Sequence, residues 1–214
     1  MSDPTPSLRA VREIRGPSSS GQEAWAEFTD DGQLRELGQE GVSWALAGPS
    51  FGWSLRRSWN DKQPDRLTPC HTVQVEEDGE SLLVTVDRLR DEAGDELSAH
   101  VTIRWSIAEG LLQGRLLGAT FPDDLRPAAF VFPDISCAYG PGDQLVLPND
   151  IGLLVQDAGQ TLFDRPGAPR QLRSRVHMQF LAWLQEDQGL YLDSRDQEGW
   201  TKSILASGDD GIVT

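Results

Sequence analysis

Along most of this chain, apolar and polar residues alternate one by one. The clearest run is 97–107, where Leu97, Ala99, Val101, Ile103, Trp105 and Ile107 share one face. Ser98, His100, Thr102, Arg104 and Ser106 share the other. Successive side chains of a strand point to opposite faces, whereas a helix would scatter these six around its circumference, so the run predicts a half-buried β-strand. Glu109-Gly110 then turns the chain into a second strand over 111–121. Asp78-Gly79, between 72–75 and 81–86, has the chemistry of a hairpin turn. Within 175–185, Val176, Met178, Phe180, Ala182 and Leu184 share a face, and Gln188-Gly189 leads into 190–193 as another hairpin.

Nowhere do apolar residues recur at helical spacing for three turns with a cap. The pattern gives about twelve to fourteen strands and no helix. Strands spread over a whole chain, with Gly and Pro between them, predict an all-β fold: one large antiparallel β-supersandwich. Residues 1–22, rich in Pro, Ser and Gly, read as a flexible N-terminal arm or a short edge strand. The sandwich then spans 23–207, and 208–214 reads as the start of a linker.

Composition narrows the function classes. The 214 residues carry 19 basic and 34 acidic side chains, a net charge of −15, which disfavours nucleic acid and anionic membrane surfaces as partners. The 38% hydrophobic and 25% charged content is that of a folded domain rather than a disordered one. Met1 to Ser7 has no cationic and apolar leader pattern, and no run is long enough to span a membrane, so a cytoplasmic protein is expected. Cys70 and Cys137 lack the short spacing of a metal or redox pair and read as free thiols.

Several patterns bear on chemistry. Gly48-Pro49-Ser50-Phe51-Gly52 matches the nucleophile-elbow expression, but that chemistry needs a helix after the serine. Here Phe51, Trp53 and Leu55 alternate with Gly52, Ser54 and Arg56 as in a strand, so the plainer reading is a turn between strands. His71, His100 and His177 are isolated in sequence, without the paired ligands of a zinc site, and no metal or cofactor is expected. Among so many carboxylates, sequence cannot select a pair at the separation glycoside hydrolysis requires. Trp53, Trp59 and Trp183 could stack on a sugar ring if they stand on an outer face, but packing in the core or against a neighbouring domain is the favoured reading of each. Trp183 falls opposite the Met178–Phe180 face.

The order of motifs carries a resemblance. Phe130-Val131-Phe132-Pro133 is followed by Gly142-Asp143-Gln144-Leu145-Val146-Leu147-Pro148-Asn149-Asp150-Ile151-Gly152. Next come His177-Met178-Gln179-Phe180-Leu181-Ala182 and Gly189-Leu190-Tyr191-Leu192, with Asp196 before Lys202. With the opening Phe28-Thr29-Asp30-Asp31-Gly32-Gln33-Leu34, this resembles the N-terminal galactose-mutarotase-like β-sandwich of poorly characterised glycoside-hydrolase-like proteins, over residues 25–207. In such proteins the sandwich precedes a TIM barrel, whose strand ends carry the catalytic carboxylates.

The resemblance implies a noncatalytic front domain that packs against and supports a downstream TIM barrel of the same parent protein, with carbohydrate as a further partner. It implies no catalytic residue within 1–214. Asn149 and Asp150, in a loop after 144–147, and Asp196 and Lys202, across the last hairpin turn, are candidates for substrate or interdomain contact beside Trp53, Trp59 and Trp183. Two alternatives stay open: a stand-alone carbohydrate-binding module, and a stand-alone enzyme, either a small glycosidase or a mutarotase-like epimerase for which His100 and His177 are available as the histidine of a His–Glu acid–base pair.

Overall fold

The computed structural model describes residues 11–18, 21–57, 66–78, 80–147, 153–159, 161, 171–175, 180–186, 188–193, 203–209 and 212–213. Strand makes up 71% of the structure and helix 2%, and the sheets are antiparallel, so the fold is all-β and sandwich-like. The chain divides into two compact units, 1–134 and 135–214, at a boundary inside the stretch that the sequence reads as one sandwich.

In the first unit the strands are β1 (Val11–Pro17), β2 (Glu23–Thr29), β3 (Leu34–Gln39), β4 (Val42–Ser50), β5 (Gly52–Arg56), β6 (Arg66–Glu77), β7 (Ser81–Asp91), β8 (Glu96–Ala108), β9 (Leu111–Thr120) and β10 (Ala129–Asp134). They form a four-stranded meander, β1-β2-β3-β4, and a six-stranded sheet ordered β10-β5-β6-β7-β8-β9. Of the two readings of the N-terminal stretch, 11–17 takes the edge strand, paired with β2 from Val11 opposite Thr29 to Pro17 opposite Glu23.

The period-2 run that predicts β8 sits as expected. Ala99, Val101, Ile103 and Trp105 are at most 5% exposed and Ile107 9%, while His100 and Arg104 face solvent. Glu109 and Gly110 both have positive φ (54° and 77°), the conformation of the tight turns that match strand twist, and they join β8 to β9.

β9 and β10 lie at opposite ends of the hydrogen-bonded order, yet a methyl built on Gly114 of β9 would overlap Phe132 of β10. The six-stranded sheet therefore coils strongly around its apolar face. Inside it, rings run in an unbroken chain: Phe28 to Trp105 (5.9 Å), Trp105 to Phe132 (5.5 Å), Phe132 to Phe130 (6.2 Å) and Phe130 to Trp53 (5.4 Å). Phe28 comes from the meander, so this chain also joins the two sheets. The β2–β3 turn closes the same seam. Gly32 has φ +81° and a Cβ there would come within 2.7 Å of Val84, while the Thr72 hydroxyl donates to the Asp31 carbonyl at 2.7 Å. A glycine is the residue that allows this approach.

In the second unit the strands are β11 (Cys137–Ala138), β12 (Gln144–Leu147), β13 (Leu153–Val155), β14 (Gln171–Arg175), β15 (Phe180–Leu184), β16 (Gly189–Asp193), β17 (Ser203–Asp209) and β18 (Ile212–Val213). They form two four-stranded sheets, β11-β18-β17-β14 and β13-β12-β15-β16. The end of β17 and all of β18 fall within 208–214, the stretch read as the start of a linker, and β18 pairs with both β17 and β11. The single strand expected over 175–185 is instead the end of β14 and all of β15, which belong to different sheets.

Candidate functional site

The sheet β13-β12-β15-β16 departs from the alternation of a sheet with one wet face. Register aligns Val155, Leu145, Trp183 and Leu190 in one row, at 8%, 1%, 3% and 7% exposure. This is the inner face. The next row, on the opposite face, is Leu154, Val146, Ala182 and Tyr191, and Phe180 and Leu184 extend the same face along β15. Leu154 is 51% exposed and Tyr191 52% at the two edges of the row, while the small Ala182 between them is 8% exposed. Phe180 stacks on Tyr191 diagonally across the strand pair, with centroids 5.6 Å apart and planes 24° apart. An antiparallel sheet with one solvated face carries polar residues there, whereas this row is apolar and aromatic across four strands, with Asp193 opposite Phe180 and Gln144 opposite Leu184 as the polar residues beside it.

A buried carboxylate fixes the inner side. Asp143, 7% exposed, lies just before β12, and its Oδ2 accepts from Trp183 Nε1 (3.0 Å), Gln185 Nε2 (3.3 Å) and Gly140 N (3.1 Å). The Asp143 carbonyl accepts from Ala158 N at 2.8 Å, and Asp157 Oδ1 accepts from Gly142 N at 2.8 Å. Tyr139 leans on the Trp183 ring at 6.3 Å. These bonds tie β12, β15 and the turn after β13 together, and they hold Trp183 inward.

Trp183 stands inside, as the packing reading of this residue has it, and the Phe180 face is the outer one. Trp53 is 3% exposed, stacked on Phe130 within the first unit, so neither ring offers a face to a sugar. Trp59, Asn149, Asp150, Asp196, Lys202 and His177 lie outside the described residues. Tyr191 and Phe180 were not singled out by sequence, although the resemblance quotes both. The signal that could have found them is the run Phe-Leu-Ala-Trp-Leu, apolar at both parities.

Other reactive groups among the described residues have local partners. The Ser50 hydroxyl donates to the Asp134 carbonyl at 2.9 Å and accepts from Gly52 N at 3.1 Å, and a strand follows it rather than a helix. Asp134, 6% exposed, accepts from Arg66 at 2.7 and 2.8 Å. His71 Nδ1 lies 2.7 Å from Asp87 Oδ1 on an exposed surface, and its sequence neighbour is Cys70. Burial, followed by the charge of Glu96, pushes the Cys70 thiol up, the opposite of what a nucleophilic thiolate requires. Glu96 accepts from Arg90 (2.8 Å) and Arg88 (3.1 Å), and these two bonds hold its carboxyl below the usual range.

Among the described residues no group of three His, Cys, Asp or Glu side chains is placed to hold a metal, and no helix is long and apolar enough to cross a membrane. No protein-family model matches the chain, and no curated protein sequence matches it.

Proposed function

We propose that this chain is a noncatalytic β-sandwich module that braces a carbohydrate-active domain of the same parent protein, a TIM barrel, by burying the outer face of the β13-β12-β15-β16 sheet against it. The observation that carries the reading is that face itself. A row of Leu154, Val146, Ala182 and Tyr191, flanked by Phe180, is the composition of the buried centre of an interface rather than of a wet sheet. The buried carboxylates support the same reading. Asp134 and Asp143 are saturated by Arg66 and by Trp183, Gln185 and Gly140, which is structural rather than acid–base duty.

The test is the parent protein. Its reading frame should encode a barrel, and Leu154→Ser with Tyr191→Ser should split one calorimetric transition into two and lower sugar hydrolysis. A frame that encodes no sugar-processing domain, or unchanged coupling in the double variant, overturns the proposal.

A second reading, a carbohydrate-binding module, is favoured by one observation, the half-exposed Tyr191 ring stacked on Phe180. It predicts saturable protein fluorescence changes with oligosaccharides that Tyr191→Ala abolishes.

A further inference from the structure

β9 is the longest edge strand among the described residues, ten residues with no strand partner on its far side. Exposed strand edges invite pairing, and proteins usually blunt them with proline, charge or shortness. The other edges of the first unit are blunted in this way: β1 carries Arg12, Glu13, Arg15 and Pro17, β4 contains Pro49, and β10 contains Pro133. β9, Leu-Leu-Gln-Gly-Arg-Leu-Leu-Gly-Ala-Thr, has no proline and a single charge. Leu111, Leu116 and Leu117 are 36%, 44% and 45% exposed, and Gln113 and Arg115 also face solvent.

The sequence of this edge is nearly symmetric about Gly114: Leu111-Leu112-Gln113 on one side, Arg115-Leu116-Leu117 on the other. An isologous two-fold contact requires a patch that is complementary to itself. We infer that β9 pairs antiparallel with β9 of a second copy, with the two-fold axis at Gly114, so that two six-stranded sheets become one continuous sheet.

In that register Leu112 faces Leu116 of the second copy, Gln113 faces Arg115 of the second copy, and glycine faces glycine on the axis. Leu111 and Leu117 meet at the ends. Leu117 is the extra residue of a β-bulge, since Ile103 pairs with Leu116 and Thr102 with Gly118, and the bulge ends the paired stretch there. Arg115 already lies opposite Arg104 of β8, so a second arginine facing it would be unfavourable, and the register supplies Gln113 instead. Two copies of net charge −15 repel at long range, so association tightens as salt is raised. The inference is independent of the bracing role, which uses a sheet of the other unit.

The test is sedimentation velocity on the full chain over a concentration series, with Gln113→Glu and Gln113→Arg. Position 113 is exposed, so both variants fold, and circular dichroism verifies this. Gln113→Glu creates two symmetric Glu–Arg pairs and should tighten the dimer about tenfold, while Gln113→Arg should weaken it by a similar factor. A chain that stays monomeric at every concentration in high salt overturns the inference. So does a dimer whose affinity ignores both substitutions or shifts the same way with each.

Discussion

Replacing Asp143 with alanine removes one carboxylate oxygen that three donors share. Trp183 is 3% exposed, so its indole N–H, now 3.0 Å from Oδ2, has no water to turn to once the carboxylate is gone. Gln185 is only half-buried and can find solvent. A hydrogen bond to a charged group contributes about 1.5–3 kcal/mol, and a buried donor left without a partner costs about 1–3 kcal/mol. The Trp183 and Gly140 donors dominate, so Asp143→Ala should lose about 3 kcal/mol, a large share of the ~5–15 kcal/mol that holds a domain folded. Asp143→Asn keeps one acceptor oxygen and should lose about half as much. Trp183→Phe removes the donor instead of the acceptor, and the double-mutant cycle with Asp143→Ala should return a coupling of about 1–2 kcal/mol. Urea unfolding followed by circular dichroism gives all four stabilities. An Asp143→Ala variant within about 0.5 kcal/mol of the parent chain, or a coupling near zero, refutes the argument that this bond holds Trp183 inward.

Three further outcomes follow from the geometry. Gly114→Ala drives a methyl into Phe132 and disturbs its stack on Trp105, costing about 1–3 kcal/mol, whereas Gly118→Ala, with open space around it, should be close to neutral in the same melts. Glu96 sits below its ordinary value of 4.5 through its bonds to Arg90 and Arg88, so its contribution to stability is present above that pH and is lost as pH falls through its lower folded value. Glu96→Gln should therefore flatten the fall in melting temperature in acid, and an unchanged slope contradicts the assignment. Because its thiol is pushed up, Cys70 should react more slowly with Ellman's reagent at pH 8 than a free thiol does, and a fast reaction would mark an activated thiolate.

The long hairpins were legible because each strand buries one face and wets the other. β8 shows this most plainly, with Glu109-Gly110 ending it where two positive φ angles are needed. Where both faces are apolar, period-2 alternation loses its meaning. β15 reads Phe-Leu-Ala-Trp-Leu, so sequence could place Trp183 opposite Phe180 but could not say which side was inside. Asp143 made that choice, and no local pattern distinguishes it from the other acidic residues. Asp134 was hidden for the same reason, since its partner Arg66 lies 68 residues away. The coil of the six-stranded sheet was equally unreadable, because it depends on Phe132 meeting Gly114 across strands that are not neighbours in the sheet.

The bracing role is tested most directly by hydroxyl-radical footprinting of Tyr191 and Leu154, both about half exposed in this chain. Oxidation should be strong in residues 1–214 alone and suppressed when the proposed partner domain is present to cover the sheet. Equal oxidation in the two samples would contradict the account.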